Sequence, residues 1–470
     1  MKHIKYNFSR LSVLFVSVFL LEIKLSESFT ISPFSIPKGK QQISRQALSS
    51  QASFNNDITI SSWDTIRENL PIEEKLQSNL ILYRDTNGWC PFCERVWLYL
   101  LEKNIPFEEK LINLRDKPEW YKEMVPTNLV PAIKYKDSGK VVWESIDIIK
   151  DVEENHMDKP LLPSKGEPLY ENAMELMDYC SEFLNTTIGF VYNREPSKHE
   201  EKRAAFLQGM ADIDNILQKQ GGPFFLGERF SVIDAMFVPF LERYSVQIPV
   251  TSEIKIRNNP DWPHLTRWFQ AMDSLPNYSL IVKGDEYSWT AVTSMFMKIF
   301  SNGTMDEAAT ARASRADEAA KNVLLQLEDS GSQAKFMSPD KRILAKIQAA
   351  TKIVNNREAV IADATSSEPK SQSELVRCKS NLAVDLLLRA AVVLLLCEEE
   401  EFDTMLKETG KQLSLSDEAE EILIGARYIS QRLCAPRDMG EEAATQLRLV
   451  LLNLAEKIVS SSSKASEVVS

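Results

Sequence analysis

Two cysteines separated by two residues are the part of this sequence best suited to chemistry. The segment Cys90-Pro91-Phe92-Cys93 joins a strand-like run at 79–84 to a helical run. Proline after Cys90 indicates a helix start, because the first turn has no partner for the N–H group that proline lacks. The Cys90 sulfur would face free backbone N–H groups and the positive end of the helix dipole, which favour the thiolate. This placement predicts that Cys90 is a nucleophile.

Two other interpretations of the cysteine pair compete with the nucleophile. A C-x-x-C pair can be half of a zinc site, but the six cysteines and four histidines include no second C-x-x-C and no H-x-x-x-H. We therefore expect no metal. The two thiols can also be core residues, which the intervening proline and the strand-to-helix position disfavour.

The composition limits the class of protein. The chain has 470 residues, of which 44% are hydrophobic and 26% charged, with a formal net charge of −12. This length suffices for two or three domains, and the acidic balance disfavours nucleic acid as a partner. Six scattered cysteines do not resemble a disulfide framework, so we expect a reducing compartment.

The first 60 residues have the composition of targeting segments. A basic start and an apolar run at 11–21 predict a signal peptide at 1–28. Residues 29–56 are rich in serine and contain no Asp or Glu, which predicts a transit-peptide-like segment at 29–60. Together the two segments resemble the bipartite presequences of algae with secondary plastids, and they predict a plastid location. The alternative is the secretory pathway or a secreted protein.

A small α/β domain is predicted around the cysteines, at 61–156. Its element order, β-α-β-α-β-β-α after a lead-in helix, is typical of a thioredoxin-like fold. The predicted elements are the lead-in helix at 63–76, strands at 80–83, 107–113, 132–135 and 141–143, and helices at 91–103, 117–124 and 145–154.

Four motifs give this domain a family resemblance. In chain order they read CPFCER at 90–95, NLRDKPEWY at 113–121, NLVPA at 128–132 and WES at 143–145. The series resembles the omega and lambda classes of the glutathione S-transferases. The resemblance implies a thioredoxin-like, glutathione-binding domain followed by an all-α transferase domain, with glutathione as co-substrate.

The resemblance also implies a role for each of eight residues. Cys90 would form a mixed disulfide with glutathione. Cys93 stands where the omega and lambda classes carry Ala or Ser, so its role as a second catalytic thiol stays open. The residues that would bind glutathione are Phe92, Lys117, Val130, Pro131, Glu144 and Ser145.

Elementary chemistry supports three of these roles independently. A cis Val130-Pro131 bond would leave the Val130 N–H and C=O facing outward, where they can pair with an extended peptide. Ser145 at a helix start offers its N–H to a carboxylate, and Glu144 can pair with an α-ammonium group. Each feature alone is also typical of a turn or a helix cap, so the prediction depends on their joint occurrence.

Helical periodicity continues past the α/β domain. Helical runs and an S-x-x-D capping box from Ser231 to Asp234 predict the all-α transferase domain at 168–285. A second substrate would lie between this domain and Cys90. Candidate contacts for it, each also typical of a core residue, are Tyr179, Phe183 and Tyr192.

Residues 289–470 predict an additional all-α extension. Its periodic runs lie at 306–328, 341–362, 374–400, 417–433 and 441–458 and indicate a helix bundle. The apolar run at 382–397 contains Asp385 and Arg389 and is short for a bilayer span. We therefore expect a buried core helix and no membrane span in the mature chain.

These features predict a glutathione-dependent thiol transferase or reductase, which removes glutathione from mixed disulfides or reduces dehydroascorbate. A Cys nucleophile favours reduction over conjugation, because a thiolate attacks a disulfide directly. The alternative is a non-catalytic relative that binds a ligand or docks a partner through the extension. The resemblance also allows a homodimer.

Overall fold

The computed structural model describes residues 60–70, 77–192, 196–300, 305–329, 339–366, 376–432 and 439–468. The targeting segments predicted at 1–28 and 29–60 therefore lie outside the described residues, except for Ile60. The described residues form two compact units. The first contains 77–282 and 289–320, and the second contains 60–70, 283–288 and the residues from 321 onward.

A four-stranded mixed sheet lies in the first unit, with strands β1 (Leu80–Asp85), β2 (Phe107–Ile112), β3 (Ala132–Tyr135) and β4 (Val141–Trp143) in the order β2-β1-β3-β4. Strands β1 and β2 run parallel, whereas β3 is antiparallel to both β1 and β4. Every residue of β1 is buried. Because β1 is an inner strand, its carboxyl end is a rigid support for the cysteine turn that follows.

Helices make up most of both units. In chain order they are α1 (Trp63–Asn69), α2 (Pro91–Lys103), α3 (Glu119–Met124), α4 (Ser145–Asn155), α5 (Tyr170–Val191), α6 (His199–Gln220), α7 (Val232–Ser252), α8 (Pro263–Asp273), α9 (Glu286–Phe300), α10 (Glu307–Asp329), α11 (Pro339–Thr365), α12 (Asn381–Leu396), α13 (Phe402–Ser414), α14 (Ala419–Ser430) and α15 (Glu441–Val468). The order from β1 to α4 confirms the predicted thioredoxin-like domain. The all-α transferase domain and the all-α extension are confirmed as well.

The predicted capping box begins α7. The buried Asp234 carboxylate accepts hydrogen bonds from the Ser231 N–H at 2.9 Å, the Phe225 N–H at 3.1 Å and the Trp268 indole N–H at 2.9 Å. Burial raises the pKa of Asp234 to about 6, and these hydrogen bonds oppose the rise. One side chain therefore caps the start of α7, as the S-x-x-D pattern predicts, and also holds it to the preceding loop and to α8.

The second unit is an all-α bundle built mainly from α11 to α15. The apolar run at 382–397 forms α12, in which Leu387, Leu388 and Leu394 are fully buried, as expected for a core helix. Asp385 on α12 accepts a hydrogen bond from the Trp63 indole at 2.7 Å. No helix in the described part of the chain is long and apolar enough to cross a membrane.

The start of the α/β domain differs from the prediction of 61. Helix α1 is not a lead-in to the sheet, because its Ile66 is buried in the hydrophobic core of the second unit. Among the described residues, the first unit begins at 77 instead. Periodicity predicts that a helix forms, but it does not report which core the helix joins.

The start of the extension differs as well. Residues 289–320, predicted as part of the extension, belong to the first unit. The physical reason is the burial of Trp289, whose indole N–H donates to the buried Glu242 carboxylate at 2.7 Å. Helix α9 is thus part of the transferase unit from Trp289 onward.

Candidate functional site

Cys90 lies at the N-cap of α2, as the Cys-Pro pair predicts. Its backbone is extended, at φ −73° and ψ 116°, and its side chain makes no capping hydrogen bond. The residue is 7% exposed, and its Sγ lies 3.8 Å from the carbonyl oxygen of Val130. The thiol is therefore held against the backbone segment that precedes β3.

The Val130-Pro131 peptide bond is cis, as predicted. Within the described part of the chain, the Val130 N–H has no hydrogen-bond partner. The Val130 side chain is buried in an apolar cluster that also contains Cys90 and Cys93, with Phe92 packed against it. This backbone edge can pair with an extended peptide next to the thiol.

Ser145 is the first residue of α4, as predicted, and Glu144 is its N-cap. The pKa of Glu144 is raised by burial and by Asp147. The Ser145 hydroxyl accepts a hydrogen bond from Nη1 of the buried Arg95 at 3.0 Å, and the Arg95 guanidinium lies 5.3 Å from the centre of the Phe92 ring. Sequence reasoning missed Arg95, although its position inside the CPFCER motif was a signal.

Lys117 is a buried cation in the same region. It is 8% exposed, and burial lowers the pKa of its ammonium group while the neighbouring Cys90 raises it. No carboxylate among the described residues forms an ion pair with Lys117. Because a buried charge is costly unless it is paired, Lys117 is suited to an anionic ligand.

Cys93 lies within the first turn of α2 and is 1% exposed. Burial raises the pKa of the Cys93 thiol well above its usual range, and its neighbours Cys90 and Asp85 add to the rise. Unlike Cys90, this thiol belongs fully to the protein interior. Its burial agrees with the interpretation of Cys93 as a core thiol. Its position next to Cys90 still allows Cys93 to act as a resolving thiol.

Asp85 is the second residue that sequence reasoning missed. It ends β1 and is 1% exposed. One carboxylate oxygen accepts the Trp89 N–H at 2.7 Å, whereas the other, Oδ1, is buried and has no hydrogen-bond partner among the described residues. A carboxylate oxygen of Asp85 and the sulfurs of Cys90 and Cys93 all lie within 4.8 Å of one another. In the sequence, the feature that pointed to Asp85 was an acidic residue at the end of a predicted buried strand.

A buried ion pair joins α2 to α7 beside the cysteine turn. Arg243 donates to the Glu94 carboxylate at 2.8 Å and to the Trp89 carbonyl at 3.0 Å. Burial raises the pKa of Glu94, and Arg243 opposes the rise. The guanidinium also lies 4.4 Å from the centre of the Trp289 ring. This pair therefore supports the residue directly before Cys90.

Helix α9 fills the space beside the cysteine turn. The remaining cavity measures about 20 Å³ and is lined by Trp89, Pro91, Tyr192, Phe296 and Phe300, among others. Phe296 meets Trp89 edge to face with ring centres 5.4 Å apart, and Phe300 lies 4.5 Å from Tyr192. A cavity of this size holds about one water molecule.

Only one of the three predicted second-substrate contacts lines this cavity. Tyr192 does so. The half-buried Tyr179 and the buried Phe183 instead pack against Phe237 in the helical domain, with ring centres 6.4 Å and 5.6 Å away. The helical periodicity of Tyr179, Phe183 and Tyr192 does not distinguish a residue of the core from a residue that lines a cavity.

Comparisons with known proteins match both domains of the first unit. The family model described as "Glutathione S-transferase, N-terminal domain" matches 89–155, and the one described as "Glutathione S-transferase, C-terminal domain" matches 196–271. The solved structure of glutathione transferase Omega 3C from Trametes versicolor is 26% identical and covers 45% of this chain and 90% of that chain, with a TM-score of 0.38.

Two curated relatives come from Arabidopsis thaliana. Glutathione S-transferase L1 is 35% identical over 202 residues, which cover 42% of this chain and 80% of that protein. Glutathione S-transferase DHAR2 is 30% identical over 164 residues, which cover 35% of this chain and 71% of that protein. This chain therefore belongs to the glutathione S-transferase family, within its omega- and lambda-like group.

Proposed function

We propose that this protein is a glutathione-dependent thiol transferase that removes glutathione from mixed disulfides. The Cys90 thiolate attacks the glutathione sulfur of the substrate, the substrate S–S bond breaks, and the released thiolate takes a proton from solvent. A glutathione thiolate then attacks the Cys90 mixed disulfide, which yields glutathione disulfide and restores Cys90. Dehydroascorbate, reduced by two glutathione molecules to ascorbate, is a second substrate within this proposal.

The observation that carries the proposal is the position of Cys90. Cys90 is the N-cap of a 13-residue helix, and its sulfur lies 3.8 Å from the carbonyl oxygen of Val130, whose N–H has no hydrogen-bond partner among the described residues. In this proposal the Val130 N–H and C=O pair with the cysteinyl unit of glutathione, and Lys117 neutralises one of its carboxylates. Ser145 and Glu144 hold the γ-glutamyl end through the carboxylate and the ammonium group respectively.

Calorimetry combined with turnover assays tests the proposal against a non-catalytic binding protein. We expect the full chain to bind glutathione and to turn over hydroxyethyl disulfide, a glutathionylated peptide or dehydroascorbate at the expense of glutathione. The turnover assays should contain a chelator, because a metal ion bound to the Cys90 and Cys93 thiols would block their reaction with the substrate. Glutathione binding without turnover of any of the three substrates would support the alternative, a ligand-binding or partner-docking protein.

Replacing Cys93 should separate two classes of substrate. We expect Cys93→Ser to retain most of the rate on a glutathionylated peptide, because glutathione can resolve the mixed disulfide in its place. The same variant should lose at least about tenfold in the reduction of a protein disulfide, which needs two thiols. Rates on both substrates, compared with wild type, provide the measurement.

One result with Cys93→Ser would contradict the proposed mechanism. If Cys93→Ser were inactive on the glutathionylated peptide, the enzyme would be a dithiol reductase. Because the side chain is 1% exposed, serine could also disturb packing. Cys93→Ala, which introduces no buried hydroxyl, is the matched control for that effect.

The aromatic side chains of α9 that fill the space beside Trp89 should limit the size of the second substrate. We expect Phe296→Ala to enlarge the cavity beside Trp89 and to lower KM for a bulky aryl glutathione mixed disulfide by about fivefold or more, since one methylene in an apolar pocket already changes discrimination about tenfold. The rate on hydroxyethyl disulfide should change little. Steady-state kinetics on both substrates measure the effect.

Two further variants control this experiment. Phe230→Ala removes a phenylalanine that does not line the cavity and should leave both KM values unchanged. A buried Phe→Ala change costs about 3–5 kcal/mol, so Phe296→Leu provides a milder enlargement. Equal KM values for the aryl substrate in wild type and both Phe296 variants would place the second substrate elsewhere.

A further inference from the structure

We propose that Asp85, Cys90 and Cys93 form a binding site for one zinc ion. The proposal goes beyond thiol transfer, because metal binding by these residues does not require the protein to be an active transferase. It also departs from the expectation of no metal, which rested on the lack of a second C-x-x-C pair. The structure supplies a third ligand, the Asp85 carboxylate, which is neither a cysteine nor a histidine.

The geometry of the three groups suits zinc. Their ligand atoms already lie within 4.8 Å of one another. Zinc binds thiolate sulfur at about 2.3 Å and carboxylate oxygen at about 2.0–2.2 Å, so tetrahedral ligands lie about 3.5–3.8 Å apart. A contraction of about 1 Å therefore completes the site. Side-chain rotation in the first turn of α2 and at the end of β1 can provide it.

The buried carboxylate is an independent observation that points to a cation. Asp85 is 1% exposed, and within the described part of the chain its Oδ1 has no hydrogen-bond partner. A buried anionic oxygen without a partner is unfavourable, and a bound cation would satisfy it. The neighbouring Arg84 side chain donates to the Asp85 backbone carbonyl at 3.1 Å and to the Glu109 carboxylate at 2.5 Å.

The chemistry of the ligand set selects zinc over harder cations. Calcium and magnesium take about six or more oxygen ligands, whereas two sulfurs and one carboxylate suit zinc. Three protein ligands leave the fourth position open to water or to an added thiolate. As zinc binds, each thiol that carries a proton releases it to the buffer.

Zinc binding to the reduced full chain is measured by competition with a chromophoric chelator, in the absence of glutathione. We expect one zinc per chain with a Kd tighter than about 1 μM. Asp85→Asn should weaken binding at least about tenfold, since even outer-shell changes cost about 10–100-fold. Asparagine still offers an oxygen to the Trp89 N–H. Cys93→Ser should weaken binding further.

Cys397→Ser is the matched control, because it removes a buried thiol from the second unit while the hydroxyl can still reach the Leu394 carbonyl. We expect it to bind zinc as the wild type does. Cobalt(II) added to the wild type should give the visible absorption of a tetrahedral site with thiolate charge-transfer bands. This measurement needs no variant and is independent of any folding defect.

Three results would overturn the site. They are a wild-type Kd weaker than about 100 μM, an affinity unchanged in Asp85→Asn, and a cobalt spectrum without thiolate charge transfer. None of them bears on thiol transfer measured with a chelator present. Conversely, a protein that binds zinc and transfers no thiol would contradict only the proposed function.

Discussion

Replacing Cys90 by serine should abolish thiol transfer, with turnover of hydroxyethyl disulfide or a glutathionylated peptide falling at least about 1,000-fold. A serine hydroxyl is not ionised near neutral pH, and it cannot form a mixed disulfide with glutathione. The substitution is nearly isosteric at a residue that is 7% exposed, so the fold should persist. The loss would therefore report chemistry rather than unfolding.

Calorimetry and a second cysteine variant complete this test. Cys90→Ser should still bind glutathione, because the Val130 edge, Lys117 and Ser145 are unchanged. Cys397→Ser should turn over at the wild-type rate, since this buried thiol is not part of the site. A Cys90→Ser protein that keeps more than about a tenth of wild-type turnover would refute Cys90 as the nucleophile.

Replacing Arg243 by methionine should lower the free energy of unfolding by about 3–5 kcal/mol, the usual cost of breaking a buried ion pair from one side. The change leaves the Glu94 carboxylate buried without its cation and removes the donor to the Trp89 carbonyl. Because Trp89 directly precedes Cys90, turnover should fall as well. Denaturant unfolding of the purified variant measures the free energy.

A double variant and a surface control give this prediction its specificity. Glu94→Leu combined with Arg243→Met removes both charges and should recover part of the lost stability, because the penalty comes mainly from the unpaired charge. Arg267→Met, at an exposed arginine, should change the free energy of unfolding by less than about 0.5 kcal/mol. If the double variant were less stable than Arg243→Met, the unpaired Glu94 carboxylate would not be the cause of the lost free energy of unfolding.

The sequence by itself determined the local features of the site. Proline after Cys90 placed the thiol at a helix start, Val130-Pro131 was recognised as the cis segment, and Ser145 was placed at the start of α4. The capping box at Asp234 was recognised in the same way. Each depends on residues a few positions apart, where chain geometry and hydrogen-bonding capacity leave few choices. The order of strands and helices around them followed from the same local periodicities.

Only the tertiary structure decided which distant residues meet. It brought Arg243 to Glu94 and α9 to the cysteine turn, and it placed Ile66 of α1 in the core of the second unit. It also revealed that one buried Asp85 oxygen has no hydrogen-bond partner among the described residues, and that a carboxylate oxygen of Asp85 lies within 4.8 Å of both cysteine sulfurs. Hydrophobic periodicity predicts that a residue is buried, but it does not identify the residues against which it packs. Pairing across long stretches of chain is set by shape and charge complementarity, which no local pattern encodes.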